Sequence, residues 1–361
     1  MIKAWSYIEE YKGLRKKILK SIDRTLKSGQ IFFGKELQKF EKRFIKENNL
    51  KYGVAVGSGT DALYIALLGL GIKPGDEIIT VSNTAIPTIS AIRSCGAKVR
   101  FADIRSDYLI NTDNIEKYIS KNTKAIIPVH LYGQACDMEK ICKIAKKYKL
   151  KIIEDCAQAH GAKFKGQKVG SFGIGCFSFY PTKNLGALGD GGAVTSNDEA
   201  LMTVIKSLRN YGRTSFAENS YAGFNSRLDT LQAAFLSEKL KNLNADNLQR
   251  RAIATRYLAE IKNPKITLPF WDTSAQHVFH LFVVLVENRE HFLDYLKYSE
   301  IGFGVHYAIP PYQQKALKAH NHLKFPLTEK VAQTCVSIPS NPTLDAEAVT
   351  QIISVLNRYN A

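Results

Sequence analysis

One lysine of this sequence lies in a glycine-rich loop between two predicted strands. The stretch reads CFSFYPTKNLGALGDGGAVT and begins at Cys176. Its aromatic first strand stops at Pro181, which cannot extend a strand pairing, and Lys183 follows two residues later. Four glycines between Gly186 and Gly192 let the backbone lie close against another body. Lys183 is therefore a candidate Schiff-base nucleophile; the alternative is a solvated loop lysine, one of the chain's 50 Lys and Arg.

A carboxylate follows another predicted strand. Residues 149–153 have the pattern of a buried parallel strand, and Asp155 comes just past its carboxyl end. Ligands bind at that edge of open α/β sheets, and a carboxylate there can bond a protonated ring nitrogen, as pyridoxal phosphate requires. Gln158, three residues on, offers an amide to a neighbouring oxygen. The alternative for Asp155 is a helix cap or a turn residue.

A glycine-rich turn precedes an apolar helix nearer the start of the chain. The sequence VGSGTDALYIALLGLG begins at Val56, and its turn includes Ser58, Gly59 and Thr60. Free backbone amides at a helix start, together with the two hydroxyl groups, make an anion site that suits a phosphate. Tight strand-to-helix turns are common, so the turn is weak evidence by itself. The three features together, in this order, are not weak.

Seven segments carry a resemblance that covers nearly the whole chain. In order they are GSGTDAL, PGDEII, VHLYGQ, IIEDCAQAHGA, SFYPTKNLGALGDGGA, GFNSRLD and GVHYAIPPY. With this set the sequence resembles the DegT/DnrJ/EryC1/StrS family of sugar aminotransferases. The resemblance implies pyridoxal 5'-phosphate as the cofactor, with a pyridoxamine 5'-phosphate form between half-reactions. It also implies the α/β aspartate-aminotransferase fold, in which helices sandwich a mostly parallel central sheet and a smaller α+β domain follows.

The resemblance assigns roles to the residues already named. Lys183 would hold the cofactor and carry the proton between the donor's α-carbon and the cofactor, while Asp155 would keep the ring nitrogen protonated. Contacts to the cofactor would come from Gly59, Thr60, Asp155, Gln158, Ser178 and Lys183. Some relatives with histidine at the lysine position act as dehydratases, so Lys183 favours an aminotransferase.

A segment before a predicted long helix, YAGFNSRLD, begins at Tyr221. In the family this segment crosses a dimer interface into the partner's active site. The resemblance implies that Asn225 bonds the neighbouring cofactor phosphate and that Arg227 meets the donor's carboxylate, which a guanidinium fork binds bidentately. The alternatives are a helix cap by Asn225 and a surface ion pair by Arg227. If the family roles hold, the active unit is a two-fold homodimer with shared active sites.

The late segment HYAIPPY resembles the border of the sugar pocket in these enzymes. His306 and Tyr307 are therefore candidates for hydroxyl or phosphate contacts, and a packed strand end is the alternative. The resemblance implies L-glutamate as the donor and C-3 of a dTDP-3-keto-6-deoxyhexose as the acceptor, giving a 3-amino-3,6-dideoxyhexose for surface polysaccharides. A C-4 aminotransferase of a UDP- or dTDP-4-keto-6-deoxy sugar stays open. A non-catalytic protein that binds a phosphate ligand is a more remote alternative.

The residue expected to cover the cofactor ring departs from the family pattern. Family members often carry an aromatic residue over the cofactor ring between Asn83 and Pro87, where this sequence has Ala85. We therefore expect an aliphatic neighbour such as Ile86 to cover the ring.

His130, in VHLYGQ, follows a strand end at the same edge, and we expect a structural role for it outside the site.

The elements that must position these residues alternate regularly from about residue 52. Strands are predicted near residues 77–82, 98–104, 124–130, 149–154, 176–180 and 191–195, with helices between them. Regular alternation predicts a largely parallel sheet covered on both faces. From residue 242 the pattern is a smaller α+β unit, with strands over 278–287 and before Gly304 and helices over 289–298 and 346–358. The predicted division is a large cofactor-binding domain over 1–241, with an N-terminal helical segment, and a small domain over 242–361.

Charge and composition weigh against several kinds of partner. The formal net charge is +17, but the lysines are spread along predicted helices, so we expect no nucleic-acid partner. The longest apolar run, residues 62–72, is too short to span a bilayer, and residues 1–10 lack a signal-peptide pattern, so we expect no membrane partner. The six cysteines lack metal-ligand spacing. We therefore expect reduced thiols, no metal and a cytoplasmic location.

Overall fold

The structure is a computed structural model, and it describes residues 1–360. The α-helices of this part are α1 (Tyr7–Lys27), α2 (Lys35–Glu47), α3 (Gly59–Gly69), α4 (Ile86–Ser94), α5 (Met138–Tyr148), α6 (Glu199–Leu208), α7 (Thr230–Leu240), α8 (Leu243–Glu260), α9 (Arg289–Tyr298), α10 (Pro326–Thr334) and α11 (Ala346–Arg358). The strands are β1 (Tyr52–Val56), β2 (Glu77–Val81), β3 (Lys98–Ala102), β4 (Thr123–Ile127), β5 (Lys151–Asp155), β6 (Lys163–Phe164), β7 (Gln167–Lys168), β8 (Ile174–Ser178), β9 (Gly192–Ser196), β10 (Ala275–Gln276), β11 (Phe282–Leu285) and β12 (Cys335–Ile338).

Seven strands form one central sheet in the order β1-β9-β8-β5-β4-β2-β3. The five strands from β8 to β3 are parallel to their neighbours, which confirms the predicted, mostly parallel sheet. Strand β9 is antiparallel to both β8 and β1. Two reversals restore the direction, so β1 runs the same way as the parallel strands. The carboxyl ends of β1, β2, β4, β5 and β8 therefore meet at one edge of the sheet.

Burial explains why these segments form strands. Every residue of β2, β8 and β9 is buried, as expected for strands that helices cover on both faces. Within the aromatic run, Phe177 and Phe179 pack edge-on against Phe44 of α2, with ring centroids 5.0 and 5.4 Å apart. These contacts fix the end of the strand that leads to Lys183.

Two of the helices that lie between strands follow an aspartate that caps them. Asp137 and Asp198 lie one residue before α5 and α6, and their carboxylates accept the N–H groups of Lys140 and Leu201. Each cap satisfies an N–H group that the first helical turn leaves without a partner. Both helices lie between strands, where the sequence pattern predicts helices.

Residues of the C-terminal part share a separate hydrophobic core. Its buried members all lie between Ile253 and Tyr359. The strand predicted over 278–287 is shorter, as β11, and pairs with β12. The second predicted strand, before Gly304, is wrong: this segment makes only single bridges, from Ile301 to Ile2 and from Gly304 to Ser337. Its pairing changes from one neighbour to another, so no continuous ladder forms. The division at residue 241 stays a prediction.

None of the helices within residues 1–360 combines the length and the apolar character needed to cross a bilayer. The six cysteines are free thiols, and five of them are buried.

Candidate active site

A cavity of about 330 Å³ opens at the edge where the carboxyl ends of the strands meet. Its lining includes Lys183, Asp155, Gln158, the turn Ser58–Thr60 and Ser178. These residues come from three separate stretches of the chain. The structure therefore brings together the three features that the sequence analysis singled out.

Asp155 is the last residue of β5, whereas the sequence analysis expects it just past the end of that strand. Its carboxylate accepts the Thr88 hydroxyl at 2.8 Å and the Ala157 N–H at 3.1 Å. Burial raises the pKa of Asp155, although these two donors and the positive charge of Lys183 act in the opposite direction. Asp155 is thus a buried carboxylate without an ion pair among residues 1–360, and a cationic group in the cavity would lower its pKa.

Lys183 stands in the loop between β8 and β9, where its N–H donates to the Tyr180 carbonyl at 2.8 Å. Its side chain lines the cavity with Asp155 and also a neighbouring cavity. Burial lowers the pKa of Lys183 to about 8, and the Asp155 carboxylate opposes this shift. No hydrogen bond or ion pair of its ammonium group occurs within the described part of the chain. A lysine of this kind can supply a neutral amine near neutral pH.

The start of α3 forms a cradle for an anion. The Ser58 hydroxyl caps the helix by accepting the Asp61 N–H at 3.0 Å. The N–H groups of Gly59 and Thr60 find no acceptor among residues 1–360, so they are free to bind an oxyanion. At Gly59 a Cβ would lie 2.5 Å from the Cβ of Ser178, so only glycine allows the turn to meet the end of β8.

The Gln158 amide joins two parts of the site. Its Oε1 accepts the Tyr132 N–H at 2.7 Å, and its Nε2 donates to the Tyr307 hydroxyl at 3.0 Å. The Tyr132 hydroxyl donates in turn to the His306 carbonyl. The segment that carries His306 and Tyr307 is therefore fastened to the edge of the central sheet.

The neighbouring cavity has a volume of about 400 Å³ and shares Lys183, Gln158 and Tyr180 with the first. His306 and Tyr307 both line it. Burial and the charge of Lys183 lower the pKa of His306 to about 4, and burial raises the pKa of Tyr307 to about 12. Both side chains are therefore neutral near pH 7 and can exchange hydrogen bonds with hydroxyl groups. The His306 Nδ1 already pairs with the Ser337 hydroxyl at 2.8 Å.

Asn225 and Arg227 lie outside both cavities of their own chain. Asn225 is exposed and caps no helix, since the cap position of α7 is Asp229. The Arg227 guanidinium donates to the Asn210 side chain at 3.2 Å and has no ion pair within residues 1–360. It lies 5.3, 6.0 and 5.5 Å from three ring centroids, those of Phe32, Phe33 and Tyr211. Neither alternative role, the cap or the ion pair, matches the structure.

The expectation for Ile86 is wrong. Ile86 is 46% exposed and does not line the cavity, because it begins α4 and its side chain faces outward. Ala85 and Pro87 line the cavity instead, together with aliphatic side chains from Val129 and Leu131. The cavity lining at this position therefore consists of small and aliphatic side chains.

Sequence reasoning missed several residues of the site. Thr88 holds Asp155, Asp190 and Tyr180 line the cavity, and the Ser226 hydroxyl accepts the Gly57 N–H at 2.9 Å beneath the cradle. Thr88 stands in no local pattern that differs from an ordinary helix, whereas Tyr180 and Asp190 lie within the stretch around Lys183 but were given no role there. Ser226 is flanked by Asn225 and Arg227, and this is the only signal that could have pointed to it.

His130 is part of a fully buried cluster with Glu154 and Cys156, whose ligand atoms lie within 4.8 Å of one another. The His130 Nδ1 accepts the Cys136 N–H at 3.0 Å, so the proton is on Nε2 and is donated to Glu154 at 3.1 Å. Both ring nitrogens are thus in use within the protein. This arrangement agrees with the structural role that we expect for His130.

The residues of the first cavity fit a phosphorylated cofactor with a protonated ring nitrogen. The free N–H groups at the start of α3 offer a place for the phosphate, and Asp155 offers an unpaired carboxylate for the nitrogen. Lys183 offers an amine for a Schiff base. These three groups are the ones that pyridoxal phosphate needs.

Comparisons with known proteins agree with this chemistry. The model of the DegT/DnrJ/EryC1/StrS aminotransferase family matches residues 12–357. The dTDP-3-amino-3,6-dideoxy-alpha-D-galactopyranose transaminase of Aneurinibacillus thermoaerophilus is 48% identical, over 96% of each chain. The structure of S. venezuelae DesV in complex with a ketimine intermediate is 37% identical with a TM-score of 0.94, over 96% of this chain and 95% of that one. NtdA from Bacillus subtilis with bound cofactor PMP is 31% identical with a TM-score of 0.87, over 98% and 82%.

Proposed function

This chain belongs to the DegT/DnrJ/EryC1/StrS aminotransferase family, and we propose that it transfers an amino group from L-glutamate to C-3 of a dTDP-3-keto-6-deoxyhexose. The product would be a dTDP-3-amino-3,6-dideoxyhexose for surface polysaccharides. The relative from Aneurinibacillus thermoaerophilus, a dTDP-3-amino-3,6-dideoxy-alpha-D-galactopyranose transaminase, supports this substrate. The observation that carries the proposal is the Lys183 amine, which has no partner within residues 1–360 and stands beside Asp155 in one cavity.

Pyridoxal phosphate is the cofactor that this site holds. Gly59, Thr60 and Ser178 would bind its phosphate, Gln158 would contact the ring and Asp155 would bond the ring nitrogen. When bound, the cofactor supplies an electron sink for the electron pair of a breaking C–H bond.

The side chain of Lys183 performs the proton transfer in this proposal. As a general base, its amine takes the proton from the α-carbon of the donor. As a general acid, it then delivers a proton to the C4′ atom of the cofactor. A pKa of about 8 suits this role, since both protonation states are populated near neutral pH. Asp155 is buried and stays ionised opposite a protonated ring nitrogen.

The second cavity is the place that we propose for the sugar. His306 and Tyr307 are neutral there and border Lys183, so they can bind hydroxyl groups next to the reacting carbon. Their side chains carry no net charge near pH 7. The cavity would therefore select a hexose by hydrogen bonds.

We propose that two copies of the chain form a dimer with shared sites. Asn225 is exposed, Arg227 lies against the exposed rings of Phe32 and Phe33, and Phe216, which shares a cavity with Phe33, is 98% exposed. Such a surface suits a second copy. Asn225 would then reach the partner's cofactor phosphate, and Arg227 the donor's carboxylate.

Mixing two inactive variants tests the shared site. Lys183→Ala and Arg227→Ala should each be nearly inactive alone, but a mixed dimer has one intact site. After subunit exchange we expect up to about a quarter of the wild-type activity, since half of the dimers are mixed and each has one working site. No regain of activity, with exchange shown by mass spectrometry, would contradict the dimer proposal.

A spectral half-reaction tests the substrate. The enzyme is converted to its aminated form with L-glutamate, freed of excess donor, and mixed with dTDP-3-keto-6-deoxyhexose or the 4-keto isomer. Return of the original absorbance with the 3-keto sugar alone supports the proposal. Return with the 4-keto sugar alone would establish the C-4 alternative and leave the lysine chemistry intact. Lys183→Ala serves as the control and should show neither response.

Two further features of the protein remain proposals. We propose that residues 1–241 and 242–361 form the two domains, which agrees with a separate core between Ile253 and Tyr359. We also propose a cytoplasmic location, which free thiols at all six cysteines support. A non-catalytic role as a phosphate-binding protein conflicts with the family and with Lys183.

A further inference from the structure

Trp5 lies in the wall between two cavities that both reach Lys183. It lines the 400 Å³ cavity that contains His306 and Tyr307, and also a smaller cavity of about 240 Å³ beside α1. The indole is partly exposed, and its N–H has no acceptor among residues 1–360. Its ring centroid lies 6.2 Å from that of Tyr7, the first residue of α1. The roles proposed so far make no use of this large side chain.

The backbone before Trp5 is docked on the C-terminal part of the chain. The Ile2 N–H donates to the Glu300 carbonyl at 2.8 Å, and the Ile2 carbonyl accepts the Gly302 N–H at 2.7 Å. The Asn341 side chain donates to the Ala4 carbonyl at 3.2 Å. These bonds and the single bridge between Ile2 and Ile301 hold residues 2–4 against the C-terminal part, so the direction in which Trp5 leaves the backbone is fixed.

A glycine makes the docking possible. At Gly302 a Cβ would lie 2.7 Å from the Ala4 nitrogen and 3.0 Å from the Ile2 carbonyl oxygen. The two backbones are therefore closer than any larger residue at position 302 allows. A single methyl group at this position would push residues 2–4, and Trp5 with them, away from the cavity.

The position of Trp5 selects which part of an acceptor it can contact. The reacting carbon of a nucleotide-linked hexose must come close to Lys183, and Trp5 lines the same cavity as Lys183. The hexose ring, rather than the nucleotide, is therefore the part that comes next to the indole. An indole offers a broad apolar face and one N–H donor, which suits a deoxy sugar with one apolar face and few hydroxyl groups.

We propose that Trp5 is a specificity-determining residue that contacts the hexose ring of the acceptor. This inference rests on the proposed function and adds the residue that recognises the apolar side of the sugar. The docking of residues 2–4 on the segment around Gly302 holds the indole in place. Trp5 makes no contribution to binding of the nucleotide or of the donor.

Binding to the aminated form of the enzyme tests the proposal, with dTDP-3-amino-3,6-dideoxygalactose and dTDP as separate probes in calorimetry. In Trp5→Ala we expect the Kd of the amino sugar to rise at least tenfold and the Kd of dTDP to stay within twofold. Trp5→Phe, which keeps an aromatic face, should recover most of the affinity. Gly302→Ala should reproduce the loss with the tryptophan still present. The KM for L-glutamate should not change in any of these variants.

A fluorescence measurement gives an independent readout in a fully folded protein. The chain has two tryptophans, and Trp271→Phe leaves Trp5 as the only one. Its emission should change on saturation with the amino sugar and stay constant with dTDP. Equal loss of affinity for both probes in Trp5→Ala, no loss for either, or unchanged emission with bound amino sugar would overturn the proposal. Failure of the wild-type enzyme to bind the amino sugar would instead refute the proposed substrate, and this proposal with it.

Discussion

Glu154 and Asp155 are adjacent carboxylates on strand β5, and both are buried. Glu154 accepts the N–H groups of Gly170, Phe172 and Gly173 at 2.8–2.9 Å, and also the His130 ring N–H. Asp155 accepts only two donors and faces the cavity with Lys183. Alternate residues of a strand point to opposite faces, so one step along the chain separates a structural carboxylate from a functional one.

The two residues differ in how completely the protein supplies hydrogen-bond donors to their carboxylates. The four donors around Glu154 replace water completely, so its negative charge needs no further partner. Asp155 lacks such a set, and its raised pKa records the missing partner. Burial alone therefore does not identify a functional carboxylate, whereas incomplete pairing next to a cavity does.

Asp155→Asn should have the largest effect on the reaction. An amide cannot hold a protonated ring nitrogen, so we expect turnover to fall about 1,000-fold, the upper range for loss of one group that stabilises developing charge. The thermal midpoint of the apoenzyme should not fall, since a poorly paired buried charge is removed. Steady-state turnover and a thermal melt of the same preparation check both expectations. A loss of stability with activity retained would show that Asp155 is the structural carboxylate and not the functional one.

Glu154→Gln should show the opposite pattern. The amide group would place N–H donors against backbone N–H donors, and we expect a loss of about 3 kcal/mol in the free energy of unfolding. The activity per folded molecule should stay within about threefold of wild type, because the cavity is on the other face. Denaturant unfolding and kinetics on the folded fraction measure the two quantities. Glu139→Gln, which removes exposed ion pairs with Lys143 and Lys165, is the control and should cost less than about 1 kcal/mol in the free energy of unfolding.

The pH dependence of cofactor capture links Asp155 to Lys183. Only the neutral amine attacks, so the rate at which apoenzyme binds pyridoxal phosphate covalently should rise about tenfold per pH unit below pH 8 and level off above it. An unperturbed lysine would show a rise that continues beyond pH 10. Since Asp155 raises the pKa of Lys183, the midpoint should move below 8 in Asp155→Asn. Stopped-flow absorbance checks these values, and an unshifted midpoint in the variant would show that the two groups are not coupled.

Tyr132→Phe should have the smallest effect and extend the comparison to the sugar side of the site. The variant loses the hydroxyl that donates to the His306 carbonyl but keeps the N–H that orients Gln158. We expect the KM for the keto-sugar to rise roughly fivefold, which is about the worth of one hydrogen bond, with an unchanged half-reaction with L-glutamate. Tyr148→Phe, whose hydroxyl contacts Glu116 at the surface, is the control. A changed glutamate half-reaction would show that the bond acts on the cofactor side.

The sequence was sufficient where one short stretch contains both the signal and its consequence. Lys183 stands between a proline and a run of glycines, and Asp137 and Asp198 precede helices that they cap. Residues that act across long separations gave no signal. Thr88 meets Asp155 only because α4 and β5 end at the same edge of the sheet, and no pattern around Thr88 marks it.

The direction of a strand is also invisible in its own residues. All five residues of β9 are buried, as they would be in a parallel strand, so its antiparallel pairing could not be predicted. The wrong strand before Gly304 has a related cause, since its pairing with Ile2 depends on residues at the other end of the chain. Local pattern thus fixes which segments become elements, and long-range contacts decide how they pair.

The antiparallel strand β9 has a consequence for the order in which the enzyme folds. β8 and β9 are close in sequence, so their hairpin can close early with Lys183 in its loop. β1 lies at the edge of the sheet and pairs only with β9, with Val56 opposite Gly192. During synthesis β1 must wait until residue 196 has left the ribosome before it finds its partner. We therefore expect the phosphate cradle, which begins directly after β1, to be the last wall of the cofactor cavity to form.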